Sequence, residues 1–320
     1  MKEKNIKFLG LRLCEHDSNM SYFDGNQISY FKLERYTRKK HDSYNNFESW
    51  VQEIKKIWNI KINDLDEIGI VFDPWRYNLS KKNDNFFPSK KFKYLPYNIT
   101  RINHHYAHAL SCWPVETQCN NHFVFDAYGD YKISWSFFQN DKLIDLGLWH
   151  NEYSLGNLIT EAADELGIID ETGLGHAGKL MGLQAYGKIN NSYLKKLNNF
   201  SIRDMKIIFN FELWIQHMGD KLLARLYKLD WIATVHHYIG CALIKHFKNY
   251  IDVNDLVSFS GGCAQNVVWN TQLKNTFKNL VVFPHCSDEG LSLGVLEFFR
   301  KKHKLPLFSN KNFPYWQITR

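Results

Sequence analysis

Phe123-Val124-Phe125-Asp126, the turn Tyr128-Gly129-Asp130 and the hairpin after it decide the fold, because the chain has made the same pattern once before. That hairpin runs over 133–138, turns at Gln139-Asn140-Asp141 and returns over 143–149. Its earlier counterpart starts with Ile6-Lys7-Phe8-Leu9-Gly10-Leu11 and a polar turn, His16-Asp17-Ser18-Asn19. A hairpin follows over 20–23 and 28–33, turning at Asp24-Gly25-Asn26. β-rich runs joined by Asp, Asn and Gly turns are hairpin signals. After the first triple strand come a helical pattern over 47–58 and a strand over 67–72. After the second come helical patterns over 158–166 and 231–250 and a strand over 256–260. The repeat is one of pattern, not of residue identity.

Three strands, helix, strand, helix, given twice, is the layout of the actin-like ATPase fold. The pattern predicts an α/β protein of two similar lobes, 1–118 and 119–300, around a nucleotide and metal cleft, with 301–320 as a tail. In that layout the polar turn after the first strand of each lobe, and glycine turns after later strands, point at bound phosphates.

The 320 residues suffice for a substantial core, and 44% hydrophobic with 16% aromatic content argues against disorder. No apolar run approaches the roughly 20 residues of a membrane span, so no membrane partner is expected. Met1-Lys2-Glu3-Lys4-Asn5 leads into a strand and not a secretory segment, which points to the cytoplasm. Cys14, Cys112, Cys119, Cys241, Cys263 and Cys286 include no CxxC, so reduced, packed thiols are expected. The net charge of +7 has two readings: attraction to nucleotides or nucleic acid, or a coding bias toward Lys, Asn, Ile, Tyr and Phe. The lysine- and aromatic-rich stretch 80–97 reads either as an acceptor-binding loop or as a solvated one. Phe313-Pro314-Tyr315-Trp316 is a candidate docking segment.

His104-His105-Tyr106-Ala107-His108 carries the chemistry. At spacing i, i+4, His104 and His108 share one face of a helix and can meet one metal ion, though a bare HxxxH also arises by chance. Asp126 and Asp288 follow strand-like runs where carboxylates reach a cleft, and either could instead cap a helix. Two imidazoles and two carboxylates suit Fe(II), Mn(II) or Zn(II) better than calcium. Ser260-Gly261-Gly262-Cys263-Ala264-Gln265-Asn266 is either a phosphate or ribose cradle or an ordinary tight turn. Lys179, in Gly178-Lys179-Leu180-Met181-Gly182-Leu183-Gln184-Ala185-Tyr186-Gly187, either meets a phosphate or lies on the surface.

Taken in order, these blocks resemble the NodU/CmcH-type O-carbamoyltransferases, and more distantly the tRNA threonylcarbamoyl transferases. The blocks are Glu34-Arg35-Tyr36-Thr37-Arg38-Lys39-Lys40-His41, the His104–His108 motif, Asp126-Ala127-Tyr128-Gly129-Asp130, 178–187, 260–270 and Asp288-Glu289-Gly290-Leu291-Ser292-Leu293-Gly294. The resemblance implies that His104, His108, Asp126 and Asp288 hold a divalent metal, Fe(II) first, beside the phosphate of a carbamoyl-adenylate. It places Gly261, Gly262, Asn266 and Asn270, with Lys179, at the nucleotide. It turns His16 and the block of Arg38, Lys40 and His41 toward the carbamoyl group or its phosphate. The family usually has Asp-Gly-x-Gly-Glu where this chain has Asp126-Ala127-Tyr128-Gly129-Asp130, so the turn is altered and its second acid shortened.

The implied function is carbamoyl transfer from carbamoyl-adenylate, made from carbamoyl phosphate and ATP, to an acceptor hydroxyl. Full-length members make that donor in a second domain, which this chain does not extend into. A separate carbamoyl-adenylate-forming subunit, a fragment, or another donor route each accounts for that. The acceptor is a hydroxymethylated pyrimidine nucleotide or DNA on one reading, a sugar or secondary-metabolite hydroxyl on another. A sugar-kinase-like phosphotransferase, which has no use for the histidines, and a non-catalytic nucleotide-binding subunit are the rivals.

Overall fold

The computed structural model describes residues 6–13, 16–44, 49–71, the backbone of 89–91, 97–112, 119–148, 154–170, 172 and 174–308. Most of the 80–97 stretch, Cys14 and Phe313–Trp316 lie outside them. The chain divides into two compact units. One holds the described residues up to Cys119 with those from Phe283 on; the other is Asn120–Val282.

The first unit is built on a six-stranded sheet in the order β3-β2-β1-β4-β6-β5. The strands are β1 (Phe8–Arg12), β2 (Asn19–Phe23), β3 (Ile28–Lys32), β4 (Glu67–Val71), β5 (Ser89–Lys91) and β6 (Ile99–Ile102). β1 is antiparallel to β2 and parallel to β4, pairing Gly10 with Gly69. The first hairpin turns as expected: Asp24 Oδ1 accepts from the amides of Asn26 and Gln27, both at 2.8 Å. All five residues of β1 are buried, as a central strand covered on both faces requires. Leu9 and Leu11 join Ile68, Ile70, Ile99, Trp50 and Ile54 in one core, the last two from the helix Ser49–Trp58. Side chains alternate along a strand, so Phe8 and Gly10 face the other way. There they meet the helix Leu291–Lys302, with Phe8 and Phe299 centroids 5.5 Å apart.

The second unit repeats that topology with β11-β10-β7-β8-β9. Its strands are β7 (Asn121–Phe125), β8 (Ile133–Gln139), β9 (Lys142–Leu148), β10 (Val257–Ser260) and β11 (Leu280–Val281). β7, like β1, is antiparallel to the next strand and parallel to a later one, β10. The helix Lys228–Phe247 covers the sheet, with Phe247 stacked on Phe123 at 3.7 Å. The helical segments between His176 and Leu226 were not anticipated; they are short, four to eight residues each.

The sequence division placed 119–300 in one lobe, whereas Phe283 onward packs with the first unit. The reason is shape. Glycines at Gly10 and Gly69 leave room on the β1–β4 face, and Ser292, Val295 and Phe299 fill it.

Candidate metal centre and its surroundings

β6 leads through Asn103 into the helix His104–Leu110. The Asn103 side chain caps that helix, accepting from the Tyr106 amide at 3.0 Å. All seven helical residues are buried. His104 Nε2 and His108 Nε2 lie 3.1 Å apart. Asp288 Oδ1 lies 3.4 Å from the first and 3.3 Å from the second. For bonds of about 2.1 Å, ligands on one ion are separated by about 3.0 Å at right angles and about 3.4 Å at tetrahedral angles. The three donor atoms fall in that range, so the residues fit a divalent ion.

Asp288 opens the short turn Asp288–Gly290 before the helix Leu291–Lys302. Its other oxygen, Oδ2, accepts from Arg12 Nη2 at 2.8 Å and Nε at 3.2 Å. Burial works to raise the Asp288 pKa. The charge on His104, the Arg12 guanidinium and hydrogen bonds from both imidazoles outweigh it and hold the carboxyl well below the usual range.

Close backbone approaches bring these pieces together. A Cβ on Gly294 would sit 2.0 Å from the Ala107 carbonyl oxygen, so the two site helices touch at a glycine. A Cβ on Gly10 would sit 2.2 Å from the Ser292 carbonyl oxygen, two residues from Arg12. His285 Nε2 donates to the Ser111 carbonyl at 2.9 Å, tying the approach to Asp288 to the end of the histidine helix.

A second cluster surrounds Asp17. His16 Nδ1 lies 2.9 Å from Asp17 Oδ2; His41 Nδ1 lies 3.1 and 3.2 Å from Oδ1 and Oδ2. Glu34 accepts from the His41 amide at 2.9 Å and pairs with Lys32 at 3.1 Å, and Lys32 also bonds Glu289. Asn19 Nδ2 donates to the carbonyls of Asp17, at 2.7 Å, and Asp288, at 3.0 Å. Burial opposes a charged His16 most strongly, but the Asp17 hydrogen bond and the Asp288 charge leave its pKa raised. Asp17 is lowered: burial is outweighed by its bond to His16 and by both imidazoles. His16 and His41 thus come together, while Lys40 is exposed.

In the second unit Asp126 follows β7, and its amide donates to the Ser134 carbonyl at 3.0 Å. Its Oδ1 accepts from the Ala127 amide at 2.7 Å. Gly261 has φ 90°, and a Cβ there would lie 2.2 Å from the Phe125 carbonyl oxygen; one on Gly262 would lie 3.0 Å from Asp126 Oδ1. The glycine turn therefore lies against the end of β7. Asn266 caps the helix Val267–Thr276, and its Nδ2 lies 2.8 Å from His236 Nε2. Asn270 Nδ2 donates to the Ala264 carbonyl at 2.7 Å. Lys179, on the helix His176–Leu183, donates to the Ile169 carbonyl at 2.6 Å and to Asp170 at 3.1 Å. Its charge is therefore already matched.

Sequence reasoning missed Arg12, Asp17 as the carboxylate between two imidazoles, and Lys32 between two acids. The only local signal was the His16-Asp17 dipeptide. Arg12 meets Asp288 across 276 positions, which no local pattern encodes.

A family model, "Carbamoyltransferase N-terminus", matches residues 75–296. No curated protein matches the chain. Among solved structures, component A of the (R)-2-hydroxyglutaryl-CoA dehydratase of Acidaminococcus fermentans is similar. It has 14% identity and a TM-score of 0.51, over 93% of this chain and 99% of that one. The activator of the 2-hydroxyisocaproyl-CoA dehydratase from Clostridium difficile, solved with bound ADPNP, has 11% identity and a TM-score of 0.51, over 95% and 100%. These likenesses show the fold, that of the actin-like ATPases. With the family model spanning well over half of its length, the chain belongs to the carbamoyltransferase N-terminal domain family.

Proposed function

We propose that this chain performs the transfer step of an O-carbamoyltransferase, moving the carbamoyl group of carbamoyl-adenylate to an acceptor hydroxyl. The observation that carries this reading is the convergence of His104 Nε2, His108 Nε2 and Asp288 Oδ1 within 3.1–3.4 Å in a chain of this family. Those three residues would hold Fe(II), with Mn(II) or Zn(II) as alternatives for the same donors. A cation there supplies charge neutralisation beside the phosphate of the mixed anhydride.

The chain's own residues do the rest. Arg12 holds Asp288 ionised and oriented. The Gly261-Gly262 turn offers close backbone approach to a nucleotide; Asn270 braces the segment after it through the Ala264 carbonyl, and Asn266 caps the helix that follows. The ADPNP bound to the Clostridium difficile neighbour favours a nucleotide as the ligand class. Lys179, paired with Asp170, would meet the nucleotide's phosphate only by exchanging that partner. His16 takes the acceptor's hydroxyl proton as the oxygen attacks the carbamoyl carbon. The carbon–oxygen bond to the phosphate breaks, and AMP leaves with the electron pair. Carbamoyl-adenylate itself is made from ATP and carbamoyl phosphate. The acceptor is a hydroxymethylated pyrimidine nucleotide or DNA, in keeping with the +7 charge.

The test is mass spectrometry of candidate acceptors, sugars and hydroxymethylated pyrimidines alike, incubated with the chain, carbamoyl phosphate, ATP and Fe(II), with and without a donor-forming partner. A gain of one carbamoyl group is expected. His104→Ala should lose metal and transfer together, and a phosphorylated product or transfer without metal would refute this reading. For a DNA acceptor, binding should weaken steeply as salt rises.

A further inference from the structure

Two imidazoles share one carboxylate in the first unit, and the sharing decides which nitrogen of each carries a proton. Asp17 is buried and its ionised carboxylate only accepts. His16 Nδ1 at 2.9 Å and His41 Nδ1 at 3.1 Å must therefore both carry the hydrogens shared with it, so that in each neutral imidazole the lone pair is on Nε2. The arrangement is held in place from outside. Asp17 and His41 both sit in left-handed backbone, at φ 54° and 59°, which residues other than glycine adopt at a cost. The two segments clasp each other, Asp17 N–H to the His41 carbonyl at 3.4 Å and Ser18 N–H to the Asp42 carbonyl at 3.1 Å. Glu34 holds the His41 amide and Asn19 the Asp17 carbonyl. Strain with this much bracing around one carboxylate is spent on orientation.

The two histidines are not equivalent. His41 Nε2 is buried, whereas the His16 side chain is one-third exposed. Only His16 offers a lone pair to an incoming hydroxyl.

We propose that Asp17 is a positioning residue for His16: it fixes the Nδ1–H tautomer and turns the Nε2 lone pair toward the acceptor, while His41 anchors the far side of the same carboxylate. The inference rests on the proposed role of His16 as base. During transfer the acceptor O–H bond breaks, its proton goes to His16 Nε2, and Asp17 stays ionised beside the imidazolium.

Two measurements separate the layers. The first needs no acceptor. Long-range ¹⁵N–¹H correlation spectra of the full chain, loaded with diamagnetic Zn(II), report the tautomer of each histidine, with His16→Ala and His41→Ala identifying the two signals. Both should be Nδ1–H, and Asp17→Asn should move His16 out of that state; an Nε2–H tautomer for His16 in the unsubstituted protein overturns the proposal. The second is the transfer assay. Asp17→Asn should lower kcat by about 10²–10⁴-fold with acceptor KM little changed, and should cost nothing further in a His16→Ala background. Equal additional loss in that background overturns the positioning role. If His16→Ala keeps full transfer while the tautomers are as stated, the base assignment fails and the orientation by Asp17 stands.

Discussion

Asp288 divides its two oxygens between two tasks: Oδ2 takes the Arg12 guanidinium and Oδ1 faces the imidazoles. Both members of the Arg12–Asp288 pair are buried, with side chains 1% and 7% exposed. Removing one partner of a buried pair strands the other charge in a low-dielectric site. Arg12→Met should therefore lower unfolding free energy by about 3–5 kcal/mol, read by denaturant titration. A loss under about 1 kcal/mol would mean that the imidazoles alone hold Asp288. His104 and His108 were legible in the string because i, i+4 spacing is a local rule. Their carboxylate, Asp288, was legible only as one of two acids placed after strand-like runs, with a helix-capping role equally open.

At the level of elements, the site depends on how closely two helices approach. Gly294 is no ligand, yet its missing Cβ lets the helix Leu291–Lys302 lie against Ala107 of the histidine helix. Gly294→Ala forces about 1–3 kcal/mol of overpacking and pushes the two helices apart. Metal affinity should fall about 10–100-fold, as it does when a ligand's support is disturbed. Competition against a chromogenic chelator measures it, and unchanged affinity would detach the site from this helix contact. β1 to β4, β7 to β10 and both hairpins were readable because apolar strand runs and Asp or Asn turns act over a few residues, whereas β5, β6 and β11, two to four residues long, were not. The short helices between His176 and Leu226 were not. At four to eight residues they are too short for periodicity to show, and packing rather than propensity holds them.

At the scale of the whole molecule, three buried histidines set the response to acid. His236, His246 and His285 are pushed down to about 4, burial being the main cause in each. In the unfolded chain they titrate near 6.5, so between about 6.5 and about 4 the unfolded state binds protons that the folded state refuses. Their contribution is complete above about 6.5 and is lost as pH falls, at roughly 1.4 kcal/mol per pH unit for each group. His16 runs the other way: its raised pKa adds stability at low pH that disappears as pH rises through its folded value. Three groups against one predict a denaturation midpoint that declines steadily from pH about 7 to about 4.5. A flat midpoint over that window would show these imidazoles to be accessible to protons in the folded state.

The amino-acid string by itself determined the doubled three-strand layout, the hairpin turns and the helical pair of histidines, since each depends on neighbours a few residues away. Only the tertiary structure decided that Phe283 onward joins the first unit, that Arg12 braces Asp288, and that Asp17 stands between His16 and His41. The first two follow from where bare glycine backbone lets helix and strand come within van der Waals contact, the third from the backbone bonds between 17–18 and 41–42, and contact between distant segments leaves no periodic trace in the order of residues.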